Sequence, residues 1–214
     1  EQKSASVRVH IRERESLEAK RVIVAIPPAL ASRIHYSPAL SPLRDQLTQR
    51  VPMGTVIKCF AVYEEPFWRG RGLSGQGVFD EGVVQACFDN SPRDASCGML
   101  VGFSLANRAR PLLGMSQEER RELVLESFAR AFGPEARAPK RYLDKSWAEE
   151  EFSRGCYTGL MSPGAWIGYG KALARPEGRI HFAGTETASR WNGYFEGAIL
   201  AGRRAAREVL ESER

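Results

Sequence analysis

The sequence predicts a mixed α/β chain in which an antiparallel lobe is inserted into a nucleotide-type fold. Three observations predict it. Arg21-Val-Ile-Val-Ala-Ile26 is an almost continuous β-branched run stopped by Pro27-Pro28. Arg179-Ile-His-Phe-Ala183 is a second such run, ended by Gly184, and runs of this kind belong to buried strands, as in parallel sheets. Between them, Thr55–Tyr63, Val83–Phe88 and Met99–Leu105 carry β-branched and aromatic residues, with the turn-rich Asp89–Ser96 separating the last two. Parallel-type strands at both ends around an antiparallel middle imply two interleaved lobes.

The remaining elements follow in order. Val7–Ile11 alternates apolar and charged residues, as a half-exposed strand does, and Ser16–Glu18 reads as a polar break. Pro38 and Pro42 mark a loop, with a short helix expected over Leu43–Leu47. Ser116-Gln-Glu-Glu119 is a capping box, and the helix it opens repeats Val124, Phe128 and Phe132 at every fourth position. Gly133-Pro134 ends that helix, and a last helix is expected from about Glu196 onward.

Composition narrows the class of protein. The chain has 214 residues, 43% hydrophobic and 27% charged, with a net charge of +5. Such a chain buries a substantial core and is neither disordered nor collagen-like. The longest stretch free of acidic and basic residues, Gly155–Gly170, is broken by glycines and Pro163, so no membrane span is expected. Arginine is scattered rather than gathered on one face, which argues against a nucleic-acid partner. Cys59, Cys87, Cys97 and Cys156 stand far apart, as do His10, His35 and His181, so no metal site is expected. The cysteines suit a reducing compartment, and a cytoplasmic location is expected.

Two segments carry chemistry. In Phe182-Ala-Gly-Thr-Glu186 a strand ends at Gly184 and is followed by Glu186, a carboxylate able to meet the hydroxyls of a ribose or ribitol chain. Downstream, Gly193-Tyr-Phe-Glu-Gly-Ala198 opens the last helix, and its small residues let backbone amides approach a planar or anionic ligand. Cys156 stands beside Tyr157 in a glycine-flanked loop, and Trp147 is an aromatic able to wall a flat ring. Gly70-Arg-Gly-Leu-Ser-Gly75 matches the spacing of a dinucleotide loop, but no amphipathic helix follows it. It reads as a surface loop.

Taken in order, Val24-Ala-Ile-Pro-Pro28, Pro52-Met-Gly-Thr-Val-Ile-Lys-Cys59, Glu65-Pro-Phe-Trp68, Gly155-Cys-Tyr-Thr158, Phe182-Ala-Gly-Thr-Glu-Thr187 and Gly193-Tyr-Phe-Glu-Gly-Ala198 resemble the C-terminal half of the flavin-containing monoamine oxidase family. The resemblance runs from about Val7 to Leu210. It implies part of a FAD-binding, Rossmann-like domain at residues 1–47 and 150–214, with an inserted antiparallel-sheet-plus-helix substrate domain at 48–149. The family's N-terminal dinucleotide-binding unit has no counterpart in these residues. Pairing with that portion, or with a second copy of the chain, is therefore expected, as is weak or no binding of FAD by these residues alone.

The same resemblance assigns roles. Lys58 matches the lysine that holds a water against the flavin. Cys156 matches the cysteine that forms a thioether to FAD, although Arg154 stands where the family has glycine. Tyr157 and Tyr194 match the tyrosine pair that guides a neutral amine. Trp147, Gly184, Glu186, Phe195, Glu196, Gly197 and Ala198 match flavin contacts, and Phe88, Val101 and Phe103 the lining of the substrate cavity. The implied reaction oxidises a primary amine with dioxygen to an aldehyde, ammonia and hydrogen peroxide. A polyamine or putrescine oxidase and an L-amino-acid oxidase on the same scaffold are the alternatives, as is a non-catalytic interaction module. Lacking an apolar tail after Arg203, the chain resembles soluble, bacterial members rather than the membrane-anchored mitochondrial ones.

Overall fold

A computed structural model describes residues 1–213. In chain order its strands are β1 (Val7–Val9), β2 (Leu17–Ala19), β3 (Val22–Val24), β4 (Val56–Tyr63), β5 (Gly77–Val78), β6 (Ala86–Asp89), β7 (Gly98–Leu105), β8 (Arg141–Ser146) and β9 (Ile180–Phe182). The helices are α1 (Pro28–Ala31), α2 (Pro42–Thr48), α3 (Gln117–Phe132), α4 (Ala165–Tyr169) and α5 (Phe195–Glu211). None of the described helices is long and apolar enough to cross a membrane. The chain divides into two compact units, one of Glu1–Gly54 with Tyr157–Arg214 and the other Thr55–Cys156.

In the first unit β3 and β9 pair in parallel, with Ile23 opposite His181 and Val24 opposite Phe182. The two apolar runs at the ends of the sequence are thus neighbours. On one face, Val24, Ile180 and Phe182 pack with Ala31. There the Arg44 guanidinium lies 3.5 Å from the centre of the Phe182 ring and donates to the carbonyls of Ala172 and Leu173. Burial pushes Arg44 down to about 10, so it remains a cation at neutral pH. On the other face His181 meets Glu208 of α5 at 3.3 Å, and Ala201 and Ala205 of that helix are buried. The parallel pairing matches expectation, but full burial of β3 does not hold. Ile23 is 41% exposed, and among the described residues this sheet holds two strands. Ser16–Glu18, expected to be a break, instead leads into β2, which pairs antiparallel with β1.

The second unit is a five-stranded antiparallel sheet in the order β5-β6-β7-β4-β8, with α3 on one face. Alternation along β4 sends Cys59, Ala61 and Tyr63 into the core, where Phe128 and Phe132 of α3 meet them. Gly102, opposite Cys59, has no side chain because the Phe128 ring occupies the place a Cβ would take, at 2.8 Å. The capping box forms as expected, with the Glu119 amide donating to Ser116 Oγ and the Ser116 amide donating to Glu119 Oε2. Ser116→Ala is expected to lower stability by about 1 kcal/mol in a urea titration. No helix follows Gly70–Gly75, where a turn leads instead into β5.

Candidate functional site

In the first unit the C-terminal ends of β3 and β9 and the start of α5 enclose a cleft of about 850 Å³. Ala25, Ile26 and Pro27 follow β3, while Gly184, Thr185 and Glu186 follow β9. Tyr157, Thr158 and Met53 come from an isolated antiparallel bridge between Met53 and Gly159, and Asn192–Phe195 with Ala198 complete the lining. The cleft wall is mostly apolar. Ligands of parallel α/β sheets sit at this end of the strands.

The opening of α5 shapes the polar side of the cleft. Tyr194 at the N-cap supplies no side-chain acceptor to the first turn. The amides of Phe195, Glu196 and Gly197 have no acceptor among the described residues. Three free donors at the positive end of a 17-residue helix favour an anionic or hydroxyl-rich group. Gly197 is buried with the Trp191 carbonyl against it, where a Cβ would come within 2.1 Å. Glu196 is exposed.

Of the residues singled out in the sequence, Tyr157, Gly184, Glu186, Tyr194, Phe195 and Ala198 line this one cleft. Both tyrosines are exposed, and Trp191 stands edge-on to Tyr194 with ring centres 6.0 Å apart. The lining also includes Ala25, Ile26, Pro27, Met53, Thr158, Thr185, Asn192 and Gly193, which the sequence does not single out as site residues. All but Asn192 stand inside the motifs that carry the resemblance, and that is the signal the sequence offers.

A second group gathers on the second unit. Lys58 and Phe103 are cross-strand partners, as are Phe88 and Val101, and all four lie on the sheet face opposite α3. Phe60, opposite Val101, and Leu143, opposite Phe60, share that face and were not anticipated. Lys58 makes no ion pair among the described residues. Its Nζ lies 4.9 Å from the Phe60 ring centre and 5.6 Å from that of Phe103. A cation within about 6 Å of an aromatic face is attracted by the quadrupole of the ring. Trp147 follows β8 in a single 3-10 turn and is partly exposed.

Cys156 closes the second unit, directly before Tyr157 in the chain. Arg154 adopts φ +52°, the left-handed region that glycine occupies without strain, and Gly155 follows at φ +144°. Burial pushes the Cys156 thiol up to about 11. A thiol is the weaker nucleophile, so iodoacetamide labelling of Cys156 is expected to quicken roughly tenfold per pH unit between about pH 8 and 10. A rate independent of pH would show a thiolate already present. All four cysteines are free, and the described residues contain no acidic, histidine or cysteine cluster able to hold a metal.

The cleft thus joins a mostly apolar wall that includes Tyr157, Tyr194 and Phe195 to the N-terminal end of a helix. Residues 1–210 match the family described as flavin containing amine oxidoreductase. The chain is 51% identical over 193 residues to a probable flavin-containing monoamine oxidase A of Dictyostelium discoideum, covering 90% of this chain and 42% of that protein. It is 46% identical to the flavin-containing amine oxidase B of Sus scrofa, covering 99% of this chain and 41% of that one. Among solved structures, putrescine oxidase bound to putrescine superposes with a TM-score of 0.92 at 37% identity, over 98% of this chain and 47% of that one. Cyclohexylamine oxidase from Brevibacterium oxydans does so at 0.91 and 33%, over 99% and 47%. The chain belongs to the flavin-containing amine oxidoreductase family. It spans about two-fifths of the length of these curated relatives.

The residues present fit that family's flavin. The cleft offers an apolar surface to a ring system, and Phe195, whose amide has no acceptor among the described residues, lines it at the start of α5.

Proposed function

We propose that this chain forms the amine-facing and flavin-contacting part of an enzyme that oxidises primary amines. The observation that carries this reading is the cleft that Tyr157 and Tyr194 share with the start of α5. We assign Glu1–Gly54 with Tyr157–Arg214 to the flavin side and Thr55–Cys156 to the substrate side. Bound FAD supplies the two-electron acceptor for the C–H bond alpha to nitrogen and returns the electrons to dioxygen. The amine, dioxygen and water thus yield an aldehyde, ammonia and hydrogen peroxide.

The chain's own contribution is positioning. Tyr157 and Tyr194 guide the neutral amine with their rings, and Ile26, Pro27 and Met53 give the cleft an apolar wall. The first-turn amides of α5 would hold the polar chain of the cofactor. Lys58 is assigned the cation that orders water and dioxygen, a role supported by its freedom from any ion pair among the described residues. Phe88, Val101 and Phe103 are assigned to substrate contact, and Trp147 to the flavin ring. Cys156 is assigned the thioether.

The test is hydrogen peroxide release by the full-length enzyme from benzylamine, putrescine and leucine. Benzylamine is expected to give the highest rate. Putrescine as the best substrate would favour the second reading, a diamine oxidase, which the likeness to putrescine oxidase supports. Peroxide from leucine alone, or from none of the three, would overturn both.

A further inference from the structure

The turn after β9 grips both tyrosine-bearing segments of the cleft. Glu186 is only 6% exposed. Its Oε1 accepts from the Thr158 hydroxyl at 3.0 Å and from the Gly159 amide at 2.8 Å. Its backbone carbonyl accepts from Asn192 Nδ2 at 2.9 Å. Thr185 grips the other segment, accepting from the Gly193 amide at 2.7 Å and donating to the Tyr194 carbonyl at 3.0 Å. Thr187 braces the turn itself, donating to the Gly184 carbonyl at 2.9 Å and accepting from Arg204 Nη2 at 3.1 Å.

We propose that Thr185 and Glu186 act together as positioning residues that set the placement of Tyr157 and Tyr194, and through it the slot offered to the amine. Tyr157 is one residue from the group that Glu186 holds, and Tyr194 is itself held by Thr185. A buried carboxylate is costly unless donors surround it, and hydrogen bonds to a charged acceptor are the stronger kind. Glu186 therefore ties residues 157–159 to the turn more firmly than a neutral side chain does. The carboxylate that sequence reading gave to a sugar hydroxyl has one oxygen committed to this clamp. The consequence for the amine rests on the function proposed above, whereas the clamp rests on the hydrogen bonds alone.

Two measurements on the full-length protein separate these claims. The first is hydrogen exchange at single-amide resolution. Glu186→Ala is expected to quicken exchange at Gly159 by about tenfold or more, with Glu186→Gln intermediate because it keeps one acceptor. Thr185→Val is expected to quicken Gly193 and leave Gly159 alone. Amides of β9 should stay within about twofold of the parent in every variant. Unchanged exchange at Gly159, or an even rise across the whole unit, would overturn the clamp. The second measurement is steady-state kinetics with benzylamine. Glu186→Gln is expected to raise KM several-fold while kcat changes less, and an unaltered KM would overturn the positioning role. If the parent enzyme oxidised no amine, the proposed function would fall and the exchange result would still decide the clamp.

Discussion

Arg120→Ala is expected to lower the stability of the chain by about 3–5 kcal/mol, read as a reduced urea midpoint for the second unit. Arg120 of α3 donates from both Nε and Nη2 to the two oxygens of Asp144 on β8, each at 2.9 Å. The side chains are 10% and 2% exposed. Removing the guanidinium leaves a buried carboxylate that, among the described residues, keeps the Tyr142 hydroxyl as its one side-chain donor, at 3.2 Å, and the Met115 carbonyl loses its guanidinium partner. The pairing also raises Arg120 above its ordinary value, chiefly through its hydrogen bonds to Asp144. The cost comes from stranding one charge, which is distinct from the net worth of the pair. A variant with Arg120→Met, Asp144→Leu and Tyr142→Phe strands no charge and no hydroxyl. It should recover most of the loss. If the triple variant were as unstable as Arg120→Ala, the loss would lie in packing rather than in the stranded carboxylate.

Much of this architecture was legible because local signals and tertiary contacts agree. The capping box at Ser116, the four-residue repeat of Val124, Phe128 and Phe132, and the stop at Gly133 each act within a few residues, and α3 follows them. The β-branched runs at Val22–Val24 and Ile180–Phe182 identify two parallel-type strands, although β3 is only partly buried, and nothing in either run names the other as its partner. Strand β8 was not legible. Arg141-Tyr-Leu-Asp-Lys-Ser146 is charged at three positions, and only its partner β4 and the Arg120–Asp144 pair make it a strand. The hairpin of β1 and β2 was half missed for a related reason, since Leu17–Ala19 is exposed throughout and lacks an apolar face to mark it.

The candidate site divides the same way. Tyr157, Glu186 and Tyr194 stand in short motifs whose order carries the resemblance, and the first unit brings all three to one cleft. That Lys58, Phe88, Val101 and Phe103 share a sheet face depends on register between strands far apart in sequence. Alternation within one strand does not reveal that register. Thr185 is the clearest omission. A threonine after a glycine is ordinary in sequence, and its role appears only when the Gly193 amide and the Tyr194 carbonyl are seen to meet it.

Two glycines of α5 should respond to the same substitution with opposite signs. A Cβ at Gly202 meets nothing within 4 Å. Gly202→Ala is therefore expected to stabilise the chain by about 0.5–1 kcal/mol, through the lower entropy of its unfolded state and better helix propensity. At Gly197 the new Cβ would lie 2.1 Å from the Trp191 carbonyl oxygen and 2.9 Å from Thr185 Oγ1. Neither neighbour can yield cheaply. The Trp191 carbonyl accepts from the Tyr194 amide, Trp191 itself has φ +56°, and Thr185 is bonded to Gly193 and Tyr194. Gly197→Ala is expected to cost about 2–3 kcal/mol by overpacking and to push residues 191–194 outward. Calorimetry on the pair gives the two signs directly. Because Tyr194 rides on the displaced loop, Gly197→Ala should also weaken flavin retention in the full-length enzyme, while Gly202→Ala leaves it unchanged. Equal thermal shifts for the two variants would mean that the Trp191 carbonyl does not rest against Gly197, and that the start of α5 has room the cleft geometry denies it.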